Sequence, residues 1–112
     1  MREVQLSEFG TVQNRRRLGT QVRAWLERNL NELDENEVLE VNCTGVKVMD
    51  RNFATTAFGS IIVHLATGAY GKKSMGFTEC NEDVSLAIAG AINLTGLDPQ
   101  SNTQLKIGGG EL

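Results

Sequence analysis

The sequence predicts an α/β domain with a largely parallel sheet, and three observations carry that prediction. Residues 37–45, "EVLEVNCTG", alternate with period two, Leu39, Val41 and Cys43 on one face and Val38, Glu40, Asn42 and Thr44 on the other. Such alternation marks a strand with one face buried and the other wetter. Three other stretches repeat apolar residues at three- and four-residue spacing, the signature of helices with one buried stripe. The two patterns follow one another as strand, helix, strand, helix, strand, helix. Strands separated by helices pair in parallel through right-handed crossovers.

Taken in order, a weak strand is expected around residues 4–6, then a turn at Gly10. Asn14 is a candidate cap for a helix over 15–33, whose stripe is Leu18, Val22, Trp25, Leu26, Leu30 and Leu33. Gly19 inside that helix costs on the order of 1 kcal/mol relative to Ala, so the prediction relies on the stripe. "DEN" at 34–36 is a polar turn before the alternating strand, and Val46 and Val48 extend the run to Met49-Asp50. The second helix directs Ala54, Ala57, Phe58, Ile61, Ile62 and Leu65 to a core, with Phe53 at its entrance. Gly59 within it is expected to mark a close approach to a sheet. Gly68 and Gly71 end that helix, "SMGFTEC" at 74–80 is the next strand, and Asn81 with Glu82 and Asp83 starts the third helix. Its stripe is Val84, Ile88, Ala91 and Ile92, and Gly96 stops it. The tail, 95–112, is expected to be loose, with a docked edge strand at residues 105–107 as the alternative.

Composition narrows the function classes. The 112 residues are 40% hydrophobic and 22% charged, an ordinary balance for one globular domain. No apolar run approaches the ~20 residues of a membrane-spanning helix, and "MREVQLSEFG" lacks the layout of a secretory signal, so a cytoplasmic location is expected. A net charge of −3 and a pI near 5.1 do not attract polyanions, which argues against nucleic acid. Cys43 and Cys80 lack metal-ligand spacing, the single His64 completes no zinc site, and free thiols are the expected state.

Chemical motifs are sparse. No glycine lies in the strand–helix junction at 49–53, and "GKKS" at 71–74 lacks the upstream glycine of a phosphate-binding loop. No nucleophile–base pair can be named by spacing, and His64 reads as a helical surface residue. Glu37 with Glu40, and Glu82 with Asp83, fit solvation and helix-dipole complementarity without acid–base work. The expectation is a protein without catalytic residues, metal or cofactor. Arg15, Arg16, Arg17 and Arg23 form the one basic cluster; consecutive residues at a helix start face different directions, so a solvated face is expected, with an acidic protein surface as the alternative.

The junction in "VMDRNFATTAFGSI", residues 48–61, is the candidate site. A strand's C-terminal end meeting a helix N-terminus presents unpaired N–H groups and a positive dipole end, where open α/β sheets commonly place function. Asp50 or Asn52 can cap the helix, and Thr55 and Thr56 add hydroxyls in its first turns. Phosphorylation of either threonine would add about two negative charges there.

With Thr44-Gly45-Val46, Val48-Met49-Asp50 and the following helix in this order, residues 37–65 resemble the STAS domain of bacterial anti-sigma-factor antagonists. They are more similar still to the STAS-like domain family of unknown function, whose positions would be Arg17, Thr44-Gly45-Val46, Phe53-Ala54 and Phe58-Gly59. The resemblance covers roughly residues 11–94. It implies one STAS-like sandwich over 1–94, with a mixed, largely parallel sheet of four to five strands and helices mainly on one face. It also implies a non-catalytic bacterial regulatory domain whose protein partner, an anti-sigma ATPase-type kinase in the related antagonists, is bound through 49–60. Asp50, Arg51, Asn52, Thr55 and Thr56 would be the contact set. The antagonists' phosphorylatable serine follows the aspartate directly; here Arg51 and Asn52 follow Asp50, leaving Thr55 and Thr56 as substitutes. The alternative is a small-ligand or nucleotide sensor using the same helix end, and self-association through the less covered sheet face would give a homodimer.

Overall fold

A computed structural model of the chain describes residues 2–96 and the backbone of 105–107. Its elements are β1 (Arg2–Gln5), a 3-10 turn (Leu6–Phe9), β2 (Val12–Gln13), α1 (Arg16–Glu32), β3 (Val38–Asn42), β4 (Val48–Met49), α2 (Arg51–Ala66), β5 (Ser74–Thr78), α3 (Glu82–Leu94) and β6 (Leu105–Ile107). β1, β3, β5 and β6 form one sheet in that order, while β2 and β4 form a separate two-stranded ladder. All these pairings are parallel. The α/β class and the parallel pairing are as expected. The expected mixed character is not seen among the described residues, because a helix intervenes between successive strands of each sheet and returns the chain in the same direction.

The main sheet always advances one strand in the same sense, so right-handed crossovers put α1, α2 and α3 on a single face. Register sorts the side chains accordingly. Leu39 stands beside Met75 and Val41 beside Phe77, all buried against the helices. Glu3 pairs with Glu40 and Gln5 with Asn42 on the opposite, wetter face. The alternation seen in the sequence therefore reports a sheet whose helices, among the described residues, cover one face.

The core is built as the helical stripes predict. Val22, Leu26 and Leu30 from α1, Phe53, Ala57, Phe58, Ile61 and Leu65 from α2, and Val84, Ile88 and Ala91 from α3 are all fully buried. Phe58 stands edge-on to Phe53 and Phe77, with ring centroids 6.1 and 4.9 Å away. α2 lies between α1 and α3. A Cβ on Gly19 would lie 3.1 Å from Thr56 Cβ and 3.2 Å from the Phe53 carbonyl oxygen, so this glycine lets α1 approach the backbone of α2. Gly59 behaves differently. A Cβ there would meet only Thr55 Cγ2 at 3.8 Å, so the expected close approach to a sheet is absent and the glycine lies in a shallow groove between α2 and α3.

Helix ends follow local chemistry. Lys73 Nζ donates to the Leu30 carbonyl at 2.8 Å, placing a cation on the C-terminal end of α1. Asn81 caps α3 as expected, its Oδ1 accepting from Val84 N at 2.8 Å. Asn14 does not cap α1; Arg15 holds the cap position, with no side-chain bond to the first-turn amides. β2 accounts for the shift, because Gln13 is still paired to Met49 and the chain turns into the helix only after Asn14. Of the tail at 95–112, residues 105–107 form the edge strand, paired to β5; 97–104 and 108–112 lie outside the described residues. No described helix is long and apolar enough to cross a membrane.

Candidate functional site

The short β2–β4 ladder builds the site. Val12 stands opposite Val48 and Gln13 opposite Met49, and the Asp50 N–H donates to the Gln13 carbonyl at 2.8 Å. Just beyond this ladder one chain turns into α1 and the other into α2. Because the strands are parallel, both helix N-termini emerge side by side at the same rim. Gly19 then holds the first turns of the two helices close. Between them lies a cleft of about 460 Å³ lined by Asn14, Arg16, Asp50, Asn52, Thr55 and Thr56.

Electrostatically the cleft combines two positive dipole ends, one arginine and one carboxylate. Asp50 occupies the cap position of α2 with extended backbone (φ −79°, ψ 143°), yet its side chain makes no capping bond and is exposed. Neither α1 nor α2 has a side-chain cap among the described residues, so first-turn N–H groups of both helices remain open to this rim. Thr55 Oγ1 is buried without a hydrogen-bond partner among the described residues. Thr56 turns its Cβ and Cγ2 toward Gly19 across the α1–α2 contact.

Four of the five residues expected from the sequence, Asp50, Asn52, Thr55 and Thr56, are thus brought together. Arg51 is not among them. Its side chain runs the other way, over α3, where a Cβ on Gly90 would lie 2.8 Å from Arg51 Nε. The reason is helical geometry, since neighbouring helical residues point about 100° apart. Two further residues, Asn14 and Arg16, join the cleft from α1's side. The arginine cluster divides only in part: Arg16 faces this cleft, while Arg15 and Arg17, expected to point in different directions, line the same second cavity with Phe9, Val12 and Leu18. What the sequence lacked was a sign that two-residue β2 pairs with β4, and only that pairing makes one site of two junctions.

Comparison with known proteins adds no assignment. No family model, curated protein or solved structure matches the chain.

The junction is anchored from outside the cleft. Asp83 Oδ2 accepts from Met49 N at 2.8 Å, and Asn81 Nδ2 donates to the carbonyls of Val46 (3.2 Å) and Lys47 (3.0 Å). The first turn of α3 therefore braces the loop that delivers Asp50. His64 lies exposed in the last turn of α2, remote from this rim, with its ring 6.4 Å from that of Tyr70.

Proposed function

We propose that the chain is a non-catalytic regulatory domain that binds a protein partner through the rim of α2. The supporting observation is the Asp50 carboxylate, which makes no capping bond at a position where a side chain normally bonds its own helix and which lines a polar cleft. A partner can supply donors to that carboxylate and acceptors to the free first-turn amides. The STAS-like resemblance of residues 37–65 agrees with this use of the surface, and would make the chain a bacterial anti-sigma-factor-antagonist-like component. The partner class that resemblance favours is an anti-sigma ATPase-type kinase. Asp50, Asn52 and Thr56 are the central contacts, with Arg16 beside them and Arg51 on the flank toward α3. Of the two candidate phosphate acceptors, Thr56 ranks above Thr55, whose hydroxyl oxygen is buried.

The open sheet face is a poorer docking surface. It presents Glu3, Gln5, Glu40 and Asn42, and pairing two copies there would bring carboxylates together. Homodimerisation through it is the weaker reading.

Affinity capture with the wild-type chain, followed by affinity measurement with the Asp50→Arg and Thr56→Glu chains, tests the proposal. The expected result is a partner whose binding falls at least about ten-fold, roughly 1.4 kcal/mol, with each variant still folded. A partner that binds all three chains equally refutes it. The cleft's arginine and paired helix ends also suit a small anion or nucleotide. A nucleotide that raises the melting temperature of wild type but not of Arg16→Ala would favour that second reading.

A further inference from the structure

Cys43 and Cys80 lie apart from the cleft but next to each other. Cys43 directly follows β3, Cys80 comes two residues after β5, and the strands are neighbours with Asn42 beside Thr78. The Cys43 N–H donates to the Thr78 carbonyl at 2.8 Å. The two cysteines therefore sit at the same ends of adjacent strands, which run about 4.8 Å apart, and a disulfide spans Cα separations of about 4.4–6.8 Å.

Side-chain alternation alone would send Cys80 to the wet face with Thr78. Instead Glu79 adopts φ 57°, the left-handed region, which costs a non-glycine residue about 1 kcal/mol. That twist turns Cys80 back toward the core beside Cys43. Both are free, buried thiols, and Cys80 at 6% exposed is the less enclosed of the two, against 1% for Cys43. Each thiol points back at the carbonyl two residues earlier, Cys43 Sγ 3.8 Å from Val41 O and Cys80 Sγ 3.8 Å from Thr78 O. The neighbouring thiol Cys43 holds Cys80 below the ordinary thiol value, against opposing effects of burial and Glu79, and Cys80 together with burial pushes Cys43 up.

We propose that Cys43 and Cys80 are a modification site, an oxidisable dithiol that peroxides close into an intramolecular disulfide between the ends of β3 and β5. The Cys80 thiolate attacks one peroxide oxygen, an S–O bond forms, the O–O bond breaks, and the departing hydroxide takes a proton to leave as water. Cys43 sulfur then attacks Cys80 Sγ. The S–S bond forms as the S–O bond breaks, and a second water leaves carrying the Cys43 proton. Two thiols are oxidised by two electrons and one peroxide is reduced to two waters. Asn81, which follows Cys80, holds the Val46 and Lys47 carbonyls, so the cross-link sits beneath the loop that delivers Asp50. The dithiol stands whether or not the cleft is the working face.

The reduced full-length chain is exposed to hydrogen peroxide and followed by intact mass and thiol titration. The expected product is a monomer lighter by two hydrogens, with both thiols lost at a rate independent of protein concentration and recovered by dithiothreitol. Cys43→Ser should stop at a dimedone-reactive sulfenic acid on Cys80. Cys80→Ser should react at least about ten-fold more slowly than wild type. Wild-type chain that keeps both thiols at peroxide levels oxidising free cysteine, or that gives only disulfide-linked dimers, overturns the proposal whatever the stability of the variants. Dimedone capture on Cys43 in place of Cys80 also overturns it.

Discussion

Two junctions of this molecule share a backbone and differ in what their side chains do. At Asp50 and at Asn81 a strand hands over to a helix through an extended residue, with φ −79° and −75°. Both residues are of the kind that caps helices well. Asn81 spends its whole amide locally, accepting from Val84 N and donating to the carbonyls of Val46 and Lys47. Asp50 makes no capping bond. One junction is closed on itself and braces its neighbour; the other is left open over a cleft shared with α1. Forgoing a cap sacrifices on the order of 1 kcal/mol. The difference teaches that cap sequence alone does not distinguish structural from functional helix starts. What distinguishes them is whether the side chain is already committed.

The largest effect expected from breaking this contrast is at the closed junction. Asn81→Ala removes the α3 cap, about 1 kcal/mol, and two bonds to carbonyls, about 0.5 kcal/mol each. Thermal unfolding should show a total loss near 2 kcal/mol, roughly 8 °C for a domain of this size. A loss below about 0.5 kcal/mol would mean that the junctions do not differ energetically. Asp83→Ala comes next. It takes the acceptor from Met49 N and a carboxylate from the first turn of α3, for about 1 kcal/mol. Hydrogen exchange at Met49 should quicken in that variant more than exchange in the interior of α2.

The sequence disclosed unequal shares of these two places. Asn81 with Glu82 and Asp83 announced a helix start by composition, and the structure places it there with its cap made. Asp50 was legible as a junction because the apolar alternation ends at Met49 and the helical spacing begins at Phe53. That its rim would meet α1 was not legible, since Val12–Gln13 is too short to show a period and its partner β4 lies 35 residues on. Gly19 did not carry that information by itself: of the two mid-helix glycines, Gly19 marks a close neighbour and Gly59 does not, so the residue type alone does not tell them apart. Cys80 beside Cys43 was hidden for another reason. Period two assigns Cys80 to the wrong face, and only the left-handed Glu79 corrects it.

Glu79 offers a smaller test of the closed junction, with the opposite sign. Glycine adopts this conformation freely but loses more backbone entropy on folding, so Glu79→Gly should stabilise by about 0.5 kcal/mol. A β-branched residue tolerates positive φ poorly, and Glu79→Val should destabilise by ~1 kcal/mol or more. If both variants melted as wild type does, Glu79 would not be holding the turn that faces Cys80 toward Cys43.

The smallest stability effect is expected at the open junction, and that smallness is the diagnostic. Asp50→Ala removes no capping bond, only an exposed charge near a helix N-terminus, worth about 0.3–0.5 kcal/mol at low salt and less when screened. Its melting temperature should therefore stay within about 2 °C of wild type, against roughly 8 °C for Asn81→Ala. A carboxylate that bonded its own helix, as Asn81 does, would cost more, and a loss near 1 kcal/mol or above would place Asp50 among ordinary caps. Repeating both melts at high salt separates the cases further. The Asp50 effect should vanish because it is purely electrostatic, while the Asn81 effect should persist because its bonds are neutral and fixed by geometry.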